Sequence, residues 1–163
     1  MPRYEHDPAN VTTSITIFPK GEYEFEIGKP KAFERTAKAG HQSYGVRFPL
    51  LCTQVLDGDE NMLGKKTMQT VYLHSDGAQQ MGKRFQMAVA GFTVNEANEK
   101  QYNEAAAGKD WSYDTDSGEV GAAWLEYEGQ RVVVDLDVQI QKNEKDEEVQ
   151  SQQYGTWRPL QAA

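Results

Sequence analysis

Alternating apolar and polar positions mark five strand-like segments along this chain. In GEYEFEIG, Tyr23, Phe25 and Ile27 alternate with glutamates, the period-two pattern of a half-buried strand. Similar segments follow at residues 42–56, QSYGVRFPLLCTQVL; 65–74, KKTMQTVYLH; 131–141, RVVVDLDVQIQ; and 149–160, VQSQQYGTWRPL. Pro49 predicts an edge or a bulge in the second of them.

Between the third and fourth strands the pattern changes to helical spacing over residues 76–91. Ser75 or Asp76 can cap the start of this helix, and Gly91 can end it. Gly82 inside the helix costs about 1 kcal/mol relative to alanine, which suggests that it is there for close packing. The apolar positions that recur are Ala78, Met81, Phe85, Ala88 and Val89.

The order strand, strand, strand, helix, strand, strand predicts an all-β fold with one helix, a five-stranded OB-fold barrel. An unrelated α+β roll shares this order. The predicted organisation is a flexible arm over residues 1–14 and a single domain over 15–160, with an insertion at about 95–128 before the fourth strand. In the insertion, NEANEKQYNEAAA indicates a short helix. The large rings of the insertion either anchor this loop by packing against the barrel or offer a surface for base stacking, and we favour anchoring. Those rings are Trp111, Tyr113 and Trp124.

Charge is distributed unevenly in this acidic chain. The formal net charge is -8, but residues 1–92 hold 11 Lys/Arg and 10 Asp/Glu, whereas residues 93–163 hold 6 and 15. The segment KPKAFERTAKAGHQSY, from Lys29 to Tyr44, contains four cations and a single acid, Glu34. A basic segment on an acidic body produces a local positive field, screened over roughly 8–10 Å at physiological salt.

Sequence-tolerant binding of single strands needs cations that follow the phosphates and rings that stack on bases. The third segment places Lys66, Met68, Tyr72 and His74 on the face opposite Val71, which is the face where an OB-fold binds. The candidate nucleic-acid-binding residues are Lys29, Lys31, Phe33, Arg35, Lys38, His41, Tyr44, Arg47, Lys65, Lys66 and Tyr72. For the lysines, the alternative is a solvated hairpin without a ligand. For the rings, the alternative is cross-strand packing, and it is stronger for Tyr44, which shares its parity with Val46 and Phe48.

Other chemistry has little support in the sequence. There is no phosphate-binding GxxxxGK[ST] loop, the histidines lack metal-ligand spacing, and a single cysteine allows no internal disulfide. We therefore expect no catalytic activity, no cofactor and no metal. Asp135 and Asp137, two residues apart on one strand, keep a metal-dependent nuclease open as an alternative. No apolar run approaches the roughly 20 residues of a membrane span, and the single cysteine favours a reducing cytoplasm, that of the host if the protein is viral.

Several short motifs resemble those of small phage-encoded single-stranded DNA-binding proteins. They are PKGEYEFEIGKPK, GKKTMQTVYL, GKRFQMAVAGF and GQRVVVDLDV, in that order, so the resemblance covers about residues 18–92 and 128–158. It implies an OB-fold that coats single-stranded DNA during bacteriophage DNA replication or recombination. The insertion has no counterpart in that pattern, and the end of the chain, YGTWRPLQAA, is not the acidic tail of many such proteins.

The partners expected are single-stranded DNA, with RNA as an alternative, a homo-oligomer, and phage or host replication or recombination proteins. No membrane is expected. A virion component or interaction module without nucleic-acid affinity is the first alternative to this function.

Overall fold

The computed structural model of the chain describes residues 16–36, 40–142 and 145–160. The predicted arm over residues 1–14 and the candidate residue Lys38 lie outside the described residues. The strands are β1 Gly21–Ile27, β2 Lys31–Thr36, β3 Gln42–Asp57, β4 Lys66–Tyr72, β5 Arg131–Lys142 and β6 Glu148–Pro159. The helices are the 3-10 turn Glu60–Met62, α1 Asp76–Val89, α2 Glu96–Ala106 and α3 Ala122–Leu125.

The strands form one antiparallel sheet in the order β2-β3-β1-β5-β6, with β4 paired to β3 off this path. The fold is mostly β with few helices, as expected, but the predicted element count is wrong. Within the described residues there are six strands and three α-helices, where five strands, one helix and a short helix in the insertion were predicted. The additional strand, β2, lies in the basic segment from Lys29 to Tyr44, between the first two predicted strands.

Strands β1 and β2 lie one after the other along the same edge of β3. Ile27 pairs with Leu50 and Lys31 pairs with Arg47, so the two strands are halves of one strand interrupted at residues 28–30. The interruption faces Pro49, whose carbonyl accepts a 2.8 Å hydrogen bond from the Gly28 N–H. The irregularity predicted at Pro49 therefore appears in the partner strand.

The core fills the inner side of the sheet. The alternation of β5 holds in its first half, where Val132, Val134 and Leu136 are buried, but Val133 on the outer face is buried as well and Ile140 is exposed. Helix α1 covers this side: its Phe85 ring lies 5.2 Å from that of Phe48 and 4.8 Å from that of Trp157. The two outer strands β4 and β6 approach each other, and the Tyr154 hydroxyl donates a 2.6 Å hydrogen bond to the Met68 carbonyl.

Helix α1 begins and ends where the sequence predicts. The Ser75 hydroxyl accepts a hydrogen bond from the Ala78 N–H, and Gly91 adopts φ +94 two residues after the last helical residue. Inside the helix, a Cβ added at Gly82 would lie 2.6 Å from Val71 Cγ1 of β4. The predicted role of Gly82 in close packing is confirmed.

We expect Gly82→Ala to destabilise the protein, because α1 would have to move away from β4. Overpacking of this kind costs about 1–3 kcal/mol. Replacing glycine by alanine in a helix gains about 1 kcal/mol in propensity, so the packing cost at least cancels this gain and exceeds it over most of the range. The measurement is the free energy of unfolding from denaturant titration.

The control is Gly77→Ala in the first turn of the same helix, where nothing lies within 4 Å of the added Cβ. It should leave stability unchanged or raise it slightly. Equal stability of the two variants would refute the packing argument.

Candidate nucleic-acid interface

Six of the predicted site residues share the outer face of the β2–β3–β4 part of the sheet. Residues directly opposite each other in antiparallel strands point to the same side. The register pairs Lys31 with Arg47 and Phe33 with Gly45, and Gly45 with Tyr72 on the other side of β3. We call the resulting surface the basic face; it consists of Lys31, Phe33, Arg35, Arg47, Lys66 and Tyr72.

Two aromatic rings meet over a glycine at the centre of the basic face. The Phe33 and Tyr72 rings lie edge to face with centroids 5.7 Å apart, above the backbone of Gly45 between them. A Cβ at Gly45 would collide with the carbonyl oxygen of Val71, so no larger residue fits there without a backbone shift. Arg47 Cζ lies 4.4 Å from the Phe33 ring centroid, a cation–π geometry. The Tyr72 side chain remains 38% exposed.

The cations of the basic face have no acidic partners among the described residues. No ion pair among the described residues involves Lys31, Arg35, Arg47 or Lys66, whereas some basic residues elsewhere are paired, such as Lys83 with Glu99 at 2.9 Å. Lys31 and Arg47 are also direct cross-strand neighbours, and like charges opposite each other destabilise a sheet. An unneutralised cluster of this kind suits an anionic ligand better than it suits the fold.

The remaining predicted residues are distributed around the basic face. Lys29 is exposed at the interruption between β1 and β2, His41 is exposed before β3, and Lys65 is exposed before β4. Tyr44 is on the opposite side of the sheet, where it is half-buried and its ring stacks at 6.3 Å on that of Tyr113. Tyr44, named as a candidate for base stacking, therefore lies on the other side of the sheet from Tyr72, as its shared parity with Val46 and Phe48 predicts.

His74 is a residue that the candidate set omits. Its ring lies 5.5 Å from Tyr72 and 6.1 Å from Tyr44, so it bridges the rings on the two sides of the sheet at the end of β4. The signal was present in the sequence, because His74 has the same parity as Tyr72 in the third segment.

The other half of the outer face is acidic. In β1 and β5, Glu22 is opposite Asp135, and Arg158 of β6 forms ion pairs with both. Glu24 is buried, with Arg131 as its ion-pair partner at 3.8 Å. The Asp135 carboxylate required by the nuclease alternative is thus already paired with Arg158. Across the described ranges, no group of three or more His, Cys, Asp or Glu side chains is arranged to hold a metal ion.

The insertion covers the inner side of the β2–β3 hairpin. Trp124 is 2% exposed, and its indole N–H donates a 2.8 Å hydrogen bond to the Trp111 carbonyl. The Gly118 carbonyl accepts a 2.9 Å hydrogen bond from the Ala32 N–H on the otherwise open edge of β2. The predictions of a short helix and of an anchoring role for the large rings are both confirmed.

Burial keeps several phenols of this region neutral. Burial raises the pKa of Tyr113, and the neighbouring Tyr44 adds to the rise. Deeper in the insertion, the Tyr102 and Tyr127 hydroxyls are 3.1 Å apart, and burial raises the pKa of both. Tyr127 is shifted far above its usual range, because the charge and hydrogen bond of Tyr102 add to burial.

No protein-family model matches this chain, and no curated protein sequence matches it. Within the part of the chain that the structure covers, no helix is long and apolar enough to cross a membrane.

The raised pKa of Tyr127 predicts a loss of stability in alkaline solution. Its folded pKa exceeds the unfolded value of about 10, so stability is full below pH 10 and falls above it, as the unfolded chain releases a proton that the folded chain keeps. The slope is about 1.4 kcal/mol per pH unit for each such tyrosine.

We expect Tyr127→Phe to make the free energy of unfolding fall less steeply between pH 10 and 11, by about 1.4 kcal/mol per pH unit, which corresponds to one proton. Denaturant titrations at a series of pH values measure this slope. Below pH 9 the variant should differ from the wild type by a constant offset, since the hydrogen bond to Tyr102 is lost at every pH. An unchanged alkaline slope would contradict the burial of a neutral phenol at this position.

Proposed function

We propose that this protein binds single-stranded DNA through the basic face, with little sequence preference and without catalytic activity. The observation that carries the proposal is the ring pair Phe33 and Tyr72 flanked by cations that have no acidic partners among the described residues. Arg47 and Lys31, held opposite each other, provide a positive strip for phosphates. The exposed Tyr72 ring and the half-buried Phe33 ring provide surfaces on which bases can stack at about 1–3 kcal/mol per base.

The strand pairing supports an OB-type barrel as the scaffold. With β1 and β2 counted as one interrupted strand, five strands are joined in the order β4-β3-β1-β5-β6, and α1 connects β4 to β5. The hydrogen bond from Tyr154 to Met68 brings the two ends of this series together. OB-folds bind oligonucleotides on the face of their second and third strands, which correspond here to β3 and β4. Arg47, Lys66 and Tyr72 lie on these two strands, and Phe33 lies beside them on β2.

The charge distribution supports single strands as the ligand rather than duplex DNA. The cations of the basic face lie on β2, β3 and β4, and the acidic half of the same face lies beside them. A flexible single strand can follow a narrow basic strip, whereas a rigid duplex would bring phosphates towards the acids. A role in phage DNA replication or recombination rests on the motif resemblance described above.

Reversing two charges of the basic face should weaken binding to all sequences alike. We expect Lys31→Glu combined with Lys66→Glu to lower affinity for oligo-dT and to reduce the slope of log K against log salt by about 1.4, that is, about 0.7 for each lost phosphate contact. Fluorescence anisotropy between 50 and 300 mM salt measures both quantities.

The matched control is Arg84→Glu with Lys100→Glu, the same charge change on exposed residues of α1 and α2. This pair should leave the slope unchanged. Wild-type protein without affinity for oligo-dT would remove the proposal and favour an interaction module.

Removing the rings tests stacking separately from charge. We expect Phe33→Ala combined with Tyr72→Ala to lower affinity by about 5- to 150-fold for each ring that stacks on a base, with the salt slope unchanged. The control is Met81→Ala, which removes a 72% exposed apolar side chain from α1 and should leave affinity unchanged. Wild-type affinity in the double variant would mean that bases do not stack on this face.

A further inference from the structure

A cavity lies on the side of the β2–β3 hairpin opposite the basic face. It has a volume of about 350 Å³ and lies between the hairpin and the insertion. We call it the Tyr44 cup; it is lined by Glu34, Gln42, Tyr44, Tyr113, Asp114 and Thr115. It combines a stacking surface with side chains that accept hydrogen bonds, whereas the basic face combines one with cations.

Two features of the cup suit a flat heterocycle. The Tyr44 and Tyr113 rings are inclined by only 25°, and both are half-buried, which leaves part of each ring accessible. Glu34 is the direct cross-strand neighbour of Tyr44, so its carboxylate lies beside the ring on the same side of the hairpin. A base stacked on Tyr44 would turn its hydrogen-bonding edge towards Glu34.

The two acids of the cup have different roles. The Asp114 carboxylate accepts hydrogen bonds from the N–H groups of Asp116 and Ser117, and these bonds hold its pKa below its usual range. Asp114 is therefore committed to its own turn. Glu34 is exposed, and within the described residues its carboxylate accepts one hydrogen bond, from the Thr115 hydroxyl at 3.4 Å. A carboxylate has about four lone-pair positions, so Glu34 keeps most of its accepting capacity.

We propose that the Tyr44 cup binds a guanine base, with the Glu34 carboxylate accepting the guanine N1–H and N2–H groups and the Gln42 amide donating to O6. Guanine is the one DNA base whose Watson–Crick edge carries two adjacent donors, which match the two oxygens of a carboxylate. For a base carried by a strand, this inference rests on the proposed function. His74, which contacts both Tyr72 and Tyr44, marks the route from the basic face into the cup.

Electrostatics favour entry of the base rather than of its phosphate. Glu34 and Asp114 repel phosphates from the cup, while Arg35 and Lys31 lie on the opposite side of the same strand. A nucleotide can therefore keep its phosphate on the basic face and insert its base past His74 into the cup. The cup would add a guanine preference to otherwise sequence-tolerant binding.

The test compares oligo-dT with oligo-dT carrying one central guanine, adenine or cytosine. Anisotropy should show about tenfold tighter binding for guanine alone, as expected for one bidentate base contact. Deoxyinosine, which lacks the N2 amino group, should lose most of the gain, and 7-deazaguanine, which keeps the whole Watson–Crick edge, should retain it.

Glu34→Gln should abolish the guanine preference and leave oligo-dT affinity within about twofold or slightly tighter. Glu104→Gln, the same change on an exposed residue of α2, should retain it. Equal affinity of wild-type protein for all four oligomers, or a preference that survives Glu34→Gln, would overturn the inference while leaving the proposed function in place.

Free GMP distinguishes the two sources of a guanine base. Quenching of intrinsic fluorescence by GMP that Glu34→Gln abolishes would assign the cup to a free nucleotide, even if oligo-dT does not bind and the proposed function fails. Guanine preference in strands without a GMP effect would assign it to a base carried by DNA. Absence of both effects would reject guanine recognition.

Discussion

Backbone hydrogen bonding along both edges of β3 is the constraint on which the rest of this structure depends. One edge is shared in turn by β1 and β2, and the other is taken by β4. Pro49 has no N–H to contribute, and the paired strand is interrupted opposite it at residues 28–30. This interruption separates β1, which belongs to the core, from β2, whose Lys31 and Phe33 belong to the basic face.

The sequence predicted the parts of the fold in which one strand face is buried. Alternation identified β1, β3, β4 and β5, and the parity of Val71 correctly assigned Tyr72 to the opposite, exposed side. Strand β2 was missed because KAFERT buries only Ala32, and its outer edge is partnered by Gly118, which is 86 residues later in the chain. Alternation cannot reveal a strand whose pairing and burial both come from distant segments.

The candidate site was predictable to the same extent. Parity alone placed Arg47, Lys66 and Tyr72 on one face, because strand geometry fixes the side on which each residue lies. It also assigned Tyr44 to the other side, but only the fold shows that Tyr113 of the insertion stacks on it there. The insertion thus does more than fill space: it covers the edge of β2, an edge that would otherwise offer unpaired backbone groups to another chain.

The division of the outer face into a basic and an acidic half also determines how the molecule approaches other bodies. The net charge is -8, and the cations on β2, β3 and β4 have no acidic partners among the described residues, so the molecule has an electric dipole as well as a net charge. In the field of a polyanion the dipole turns the basic half forward, while the net charge repels the molecule as a whole. Association with a polyanion would therefore depend on how the molecule is oriented before contact, and the acidic half would face away from the polyanion.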